Sequence, residues 1–407
     1  MQKKDFRLYI SLILYSLLPS IYLLIRMQII PVKEVDINVM RQLEWFDLIN
    51  KILVTTLTVP LYFLLKPEQS KNQNWSVFLV SFIVYALFIA IVVVLIGGIA
   101  KFMRSQHAMQ YLFMQALSML AGFVGIFMVM IFTLNSDDQL IRWLLVIRLF
   151  LQVLADSVLI YTFRDIGAVY AEIAVNILVG MIAMFLAASR GYLNGTKINK
   201  AFFKSWGKIG VFAGVRIFLE NYIYVVMVCK MVNAVSQSNN YLVANNVILG
   251  WLFVPVICLV EVIKKNNLQN LTFKNCWKYI IAILSLWLIT MPMWKKLIFG
   301  SMAEDDEMMK IVIPLIPLFV AYMVSTVIDG WFISKGKTVC NAINSLIVCL
   351  YYGIVYSLFK KGMFIADMRF IINMFSFGMV VHMLVSLVMW KRYGRKQAIQ
   401  TGKTTLA

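Results

Sequence analysis

The chain has 407 residues, 61% of them hydrophobic and only 14% charged, with a mean hydropathy of +0.82. Soluble domains carry about 25% charged residues, so water is not the main solvent for this chain. Its net charge of +19 sits in short linkers between apolar runs; this builds no basic face for nucleic acid and reads as a topology signal and as attraction to anionic membrane lipids.

The apolar excess runs from the first decade to about residue 390, more than a single anchor explains. The opening MQKKDFR is basic, but no small-residue cleavage pattern follows it, so the first apolar run reads as a retained span. Runs long enough to cross the hydrocarbon core fall at 8–30, 43–65, 75–100, 110–132, 141–163, 167–188, 209–232, 242–263, 276–294, 308–331, 338–360 and 368–390. Such runs satisfy their backbone internally as helices, and the alternating pattern of a membrane barrel is absent. The predicted fold is an all-α polytopic membrane protein of about twelve transmembrane helices. A basic connection, Ser189–Lys208, separates six spans from six, dividing the chain into two six-helix lobes at 1–200 and 201–407.

With the amino terminus inside, Lys and Arg collect in the inside linkers while the outside loop SMAEDDE is acidic, which places both termini in the cytoplasm of a cell (inner) membrane protein. The first half departs from this bias: Lys101 and Arg104 fall outside, Asp137 and Asp138 inside. ILVTTLTVPLYFLLK from Ile52 echoes ILGWLFVPVICLVEVIK from Ile248, with Pro60 and Pro255 at matching places in spans two and eight, as a six-plus-six duplication requires. A second echo relates Asp156 to Asp329, but it joins spans five and ten, which duplication does not.

An ionised side chain at mid-membrane costs about 2.5–3.5 kcal/mol, so those retained must face protein or water. In chain order, Glu44, Asp47, Asn50 and Lys51 open span two near a boundary. Arg148, Gln152 and Asp156 form a stripe along span five, either lining a cavity or joining helices; Glu172 and Asn176 are four apart in span six. Arg216 and Glu220 share one face of span seven, as a structural ion pair or with Glu220 binding a cation or changing protonation. Asn245 and Asn246 in span eight, with Asn341 and Asn344 in span eleven, offer neutral donors and acceptors. Asp329, near the end of span ten, is either an interfacial cap or a second acid beside Glu220; His382 in span twelve reads as a packing residue. Pro60, Pro255, Pro314 and Pro317 interrupt their helices.

No Walker loop, HExxH, GxSxG or potassium-filter motif occurs, and none of Cys229, Cys258, Cys276, Cys340 and Cys349 has metal-ligand spacing. The chain reads as a non-enzyme.

The stretches WGKIGVFAGVRIFLENYIYVVMVCKMVNA, NNYLVANNVILGWLFVPVICLVEVIKK and GWFISKGKTVCNAINSLI resemble the C-terminal half of bacterial multidrug and toxic compound extrusion (MATE) transporters, within a wider flippase and exporter superfamily. The resemblance covers residues 205–390 better than 1–204. It implies a V-shaped pair of six-helix lobes and export driven by sodium or proton entry. Acids of the seventh and tenth helices form a cation site in sodium-linked members; Glu220 and Asp329 fall on those helices. The aspartate that family members often use in the first helix has no counterpart in span one, which offers Arg26 and Gln28.

The expected function is a cation-coupled secondary exporter of amphipathic or cationic small molecules by alternating access, acting as a monomer in contact with lipid. It would use no cofactor beyond sodium or a proton, with a sodium site at Glu220 and Asp329. Arg148, Gln152, Asp156, Glu172, Asn176, Arg216, Asn245, Asn246, Asn341 and Asn344 would line the cavity or a polar network. Its rivals are a flippase for a lipid-linked oligosaccharide or another anionic amphiphile, held by Arg148 and Arg216, and a membrane scaffold that transports nothing.

Overall fold

A computed structural model of the chain describes residues 3–29, 49–65, 73–102, 107–163, 167–195, 200–223, 227, 229–232, 234, 251–266, 273–294, 305–365 and 367–404. Within them the helices are α1 (Lys3–Ile29), α2 (Ile49–Leu64), α3 (Asn74–Phe102), α4 (His107–Asn135), α5 (Asp138–Phe163) and α6 (Gly167–Ser189). There follow α7 (Lys200–Tyr222), α8 (Val254–Asn266), α9 (Phe273–Trp294), α10 (Asp305–Ser334), α11 (Thr338–Lys360) and α12 (Met368–Thr404). A single turn of helix, Cys229–Val232, lies between α7 and α8. Among the described residues seven of these helices, α3 to α6 and α10 to α12, are long and apolar enough to cross a membrane.

The chain forms two compact units, Met1–Gly210 and Val211–Ala407, whose joint lies inside α7. In the first unit α4 packs on α3, α5 and α6, α5 also packs on α6, and α1 lies against α5. In the second, α10 packs on α9, α11 and α12, α11 also packs on α12, and α8 lies against α10. The pairs α3·α4, α4·α5, α4·α6 and α5·α6 thus recur six helices later. Rings fill the interior of the first unit: Tyr85 stacks on Phe123 with centroids 4.3 Å apart, and Phe78 meets Phe127 edge-on. The outward faces are equally apolar, as Val94, Phe150, Phe185 and Ile289 are all largely exposed. That is the surface a lipid solvent permits, since burying apolar area there gains little over leaving it against acyl chains.

Two local features repeat between the units. The helix before each α4–α5 and α10–α11 turn ends in the same ring of bonds: Ser136 N–H to Thr133 C=O and Asp137 N–H to Phe132 C=O, then Gly336 N–H to Ile333 C=O and Lys337 N–H to Phe332 C=O. The turning residue is left-handed in both, Ser136 at φ 55° and Gly336 at φ 66°.

The second feature is the proline echo. Helix α2 breaks at Val59–Pro60, and α8 starts beside Pro255 after a turn at Phe253. A proline has no N–H to return to the turn before it, so carbonyls there need other donors. Trp206 Nε1 donates to Leu57 C=O, and Trp287 Nε1 donates to Leu252 C=O, each at 2.9 Å. Both carbonyls stand three residues before the proline. Gly210 presses against the Thr56 carbonyl oxygen, four residues before Pro60, where a Cβ would collide.

Helix α7 begins earlier than the apolar run at 209, taking in part of what reads as a central loop. Lys200, Lys204 and Lys208 form one exposed stripe, with Trp206 buried on another side. This amphipathic entry is invisible to a search for apolar runs. Helix α12 likewise continues past residue 390 into the basic tail.

Candidate functional site

The polar side chains of the second unit gather around Arg216. Its Nε lies 2.7 Å from Glu220 Oε1, one turn along α7, and its Nη2 lies 2.9 Å from Asp329 Oδ2 on α10. The side chain of Asp329 is 2% exposed, that of Arg216 13% and that of Glu220 30%, so the cluster opens toward Glu220 and closes toward α10. Asp329 is therefore a deeply buried acid and not an interfacial cap. Gly330 beside it gives α8 its close approach: a Cβ there would lie 2.8 Å from Val260 Cγ1.

Helices α11 and α12 complete the surroundings. His382 Nε2 is 3.7 Å from Asp329 Oδ2, and Ser386 Oγ donates to Asp329 Oδ1 at 3.4 Å. Ser345 Oγ donates to Glu220 Oε1 at 3.1 Å. Asn344 Nδ2 reaches Ser386 Oγ at 2.6 Å and His382 C=O at 3.1 Å, while Asn341 Nδ2 donates to Asp329 C=O at 3.1 Å. Both imidazole nitrogens of His382 and the Oδ1 atoms of Asn341 and Asn344 are buried with no hydrogen-bond partner among the described residues. The cluster thus sets two carboxyl groups and one imidazole around a single guanidinium.

Of the residues singled out from sequence, Arg216, Glu220, Asp329, Asn341 and Asn344 come together here. His382, Ser345 and Ser386 were not foreseen as parts of a site. Their signal is faint: His382 and Ser386 are four apart on one face of α12, and Ser345 adjoins Asn344, but serines are ordinary membrane-helix residues. Asn245 and Asn246 lie outside the described residues, as do Glu44 and Asp47.

The first unit holds a separate set. Asp156 on α5 is buried, accepting from Tyr22 Oη of α1 at 2.9 Å and from Gln152 Nε2 at 3.1 Å. Arg148 continues that stripe, half-buried, with no ion pair to a carboxylate among the described residues. Glu172 is exposed, and Asn176, one turn on, donates to Ser118 Oγ of α4 at 3.1 Å. Asn50 accepts from Tyr85 Oη at 2.6 Å.

Asp137 and Asp138, which run against the charge bias, are neutralised locally. Arg142 pairs with Asp138 at 2.7 Å; Asp137 accepts from Tyr192 Oη at 3.0 Å, with Arg190 at 3.9 Å. Asn74 Nδ2 donates to Tyr192 C=O, and Trp75 N–H to Asn194 C=O. The start of α3, the turn between α4 and α5, and residues 190–194 after α6 therefore meet at one end, as the alternation of twelve spans requires. Burial, then the bond to Asp137, push the Tyr192 phenol up to about 12.

The arrangement is that of a polytopic helical membrane protein with the fold of MATE transporters and the wider MOP superfamily. The Vibrio cholerae MATE transporter VcmN, in a mutant form, superposes with a TM-score of 0.81 at 15% identity, over 98% of this chain and 97% of its own. A MOP superfamily transporter from Pyrococcus furiosus, described as having a binding pocket of reverse polarity that suggests a different function, gives 0.80 at 14% identity over 98% and 96%. An outward-facing multidrug resistance MATE family transporter of the MOP superfamily gives 0.76 at 14% over 97% and 95%. No protein-family model and no curated protein sequence matches the chain.

Proposed function

We propose that this protein is a cation-coupled secondary exporter of amphipathic or cationic small molecules, working by alternating access, and that it performs no catalytic step. The observation that carries this reading is the Arg216–Glu220–Asp329–His382 cluster: ionisable groups kept together inside apolar helices, two carboxyls to one guanidinium. Ion occupancy there would drive a conformational change only through different affinities in two states, and a near-complete switch needs about 5.5 kcal/mol of difference. The near full-length likeness of fold to transporters supports the same reading, as does the helix-pair pattern that recurs after six helices, the pattern two six-helix lobes would have.

The test is efflux of an organic cation from proteoliposomes under an imposed sodium or proton gradient. Glu220→Gln and Asp329→Asn are each expected to bring gradient-driven flux down at least tenfold. Unchanged flux in both well-folded variants would remove this cluster from coupling.

A second reading, a flippase for a lipid-linked oligosaccharide or another anionic amphiphile, draws on Arg148, a half-buried cation well inside α5 with no ion pair to a carboxylate among the described residues. The reverse polarity described for the Pyrococcus furiosus pocket lends it support. Movement of a lipid-linked sugar that is lost in Arg148→Gln, with no organic-cation efflux, would favour it.

A further inference from the structure

Sodium-linked relatives of this fold would place a metal ion against the acids of the seventh and tenth helices. In this chain the residues at that place do not fit one. One guanidinium already touches both carboxylates, Nε on Glu220 and Nη2 on Asp329, and arginine keeps its charge at any working pH.

The atoms around the acids are also of the wrong kind. A hard cation needs several oxygen lone pairs converging on one point. Here one oxygen of each carboxylate meets a hydroxyl donor, Ser345 O–H on Glu220 Oε1 and Ser386 O–H on Asp329 Oδ1, and Asp329 Oδ2 faces the Arg216 guanidinium. Each of the two asparagines spends its N–H group on an acceptor next to the acids. Asn341 Nδ2 is bound to Asp329 C=O and Asn344 Nδ2 to His382 C=O, acceptors that fix which way each amide points. Among the described residues no three His, Cys, Asp or Glu side chains are placed to hold a metal ion. A sodium ion would stand beside a guanidinium of like charge in a site closed to water on the Asp329 side, where such repulsion is least screened.

We infer that Arg216 is a built-in cation that takes the place of sodium between Glu220 and Asp329, so that this site neither binds sodium nor responds to a sodium gradient. The inference rests on the transporter reading for its meaning but not for its test. It assigns Arg216 the role of setting ion specificity, which a purely structural pair would not have.

Sodium binding to the purified protein in lipid nanodiscs reads this directly, by uptake of radioactive sodium and by the melting temperature in sodium chloride against choline chloride at equal ionic strength. The unaltered protein is expected to take up no saturable sodium and to melt at the same temperature in both salts. Arg216→Gln exposes the two acids to each other, and saturable sodium uptake should appear, then vanish again when Asp329→Asn is added. Arg216→Lys keeps the charge and should stay indifferent to sodium. Should Arg216→Gln fail to fold, the unaltered protein still decides: sodium uptake that is abolished by Glu220→Gln overturns the inference. In proteoliposomes, flux of any substrate driven by sodium alone at fixed pH overturns it too. Absence of all flux would sink the transporter reading and leave the sodium measurement standing.

Discussion

At Arg216 two carboxylates compete for one guanidinium, and their exposures differ fifteenfold, 30% against 2%. Loss of a partner from a buried pair costs about 3–5 kcal/mol because the remaining charge stays out of water; Glu220 can hydrate, Asp329 cannot. A gentler case lies at the end of α6, outside the apolar spans. Tyr192 keeps its proton because burial and Asp137 both disfavour phenolate, moving it from 10.0 to about 12. A group whose folded value is raised contributes its stabilisation fully below the unfolded value and loses it as pH climbs through the folded one. The contact between Tyr192 and Asp137 is thus expected to hold to pH 10 and to open toward pH 12, followed by tyrosinate absorbance; Tyr192→Phe should delete that step from the titration. Residue types and spacing foretold the Arg216–Glu220 pair, since four residues on one helix fix a distance. They could not foretell that Asp329 would close on the same guanidinium, because nothing in a linear sequence measures the gap between α7 and α10.

Among the elements, α2 and α8 share a broken turn at a proline, each repaired by an indole from another helix. The prolines were legible as an echo, but the donors were not. Trp206 comes from α7 and Trp287 from α9, so the repairing residues do not follow the echo that placed the prolines. A buried carbonyl left without its donor costs about 1–3 kcal/mol. Trp206→Phe and Trp287→Phe keep an aromatic ring while removing the N–H, and each is expected to destabilise by about that amount. Thermal unfolding in detergent measures it, and variants as stable as the parent would mean that water or another group serves these carbonyls. The entry of α7 lies outside the apolar run at 209 because Lys200, Lys204 and Lys208 lower its apolarity, while Trp206 and Gly210 hold it against α2.

For the whole molecule, apolar runs foretold the order of the helices well because lipid demands long uninterrupted helices. In the first half Asp137 and Asp138 run against the charge bias, but Arg142, Arg190 and Tyr192 pair with them and so reduce their weight in the count. Labelling tests the orientation directly. With native cysteines replaced, Met363→Cys, exposed after α11, should react with a membrane-impermeant maleimide in intact cells, whereas Ser189→Cys, exposed at the end of α6, should react only after permeabilisation. The reverse pattern would invert the chain. The single-turn spacing of Arg216 and Glu220 also bears on biogenesis. When α7 leaves the ribosome, α10 has not yet been translated, and the nascent segment meets the translocon with its own counter-ion already in reach. It can enter the bilayer with its charges already cancelled, and Asp329 arrives later to a guanidinium that has been waiting in place.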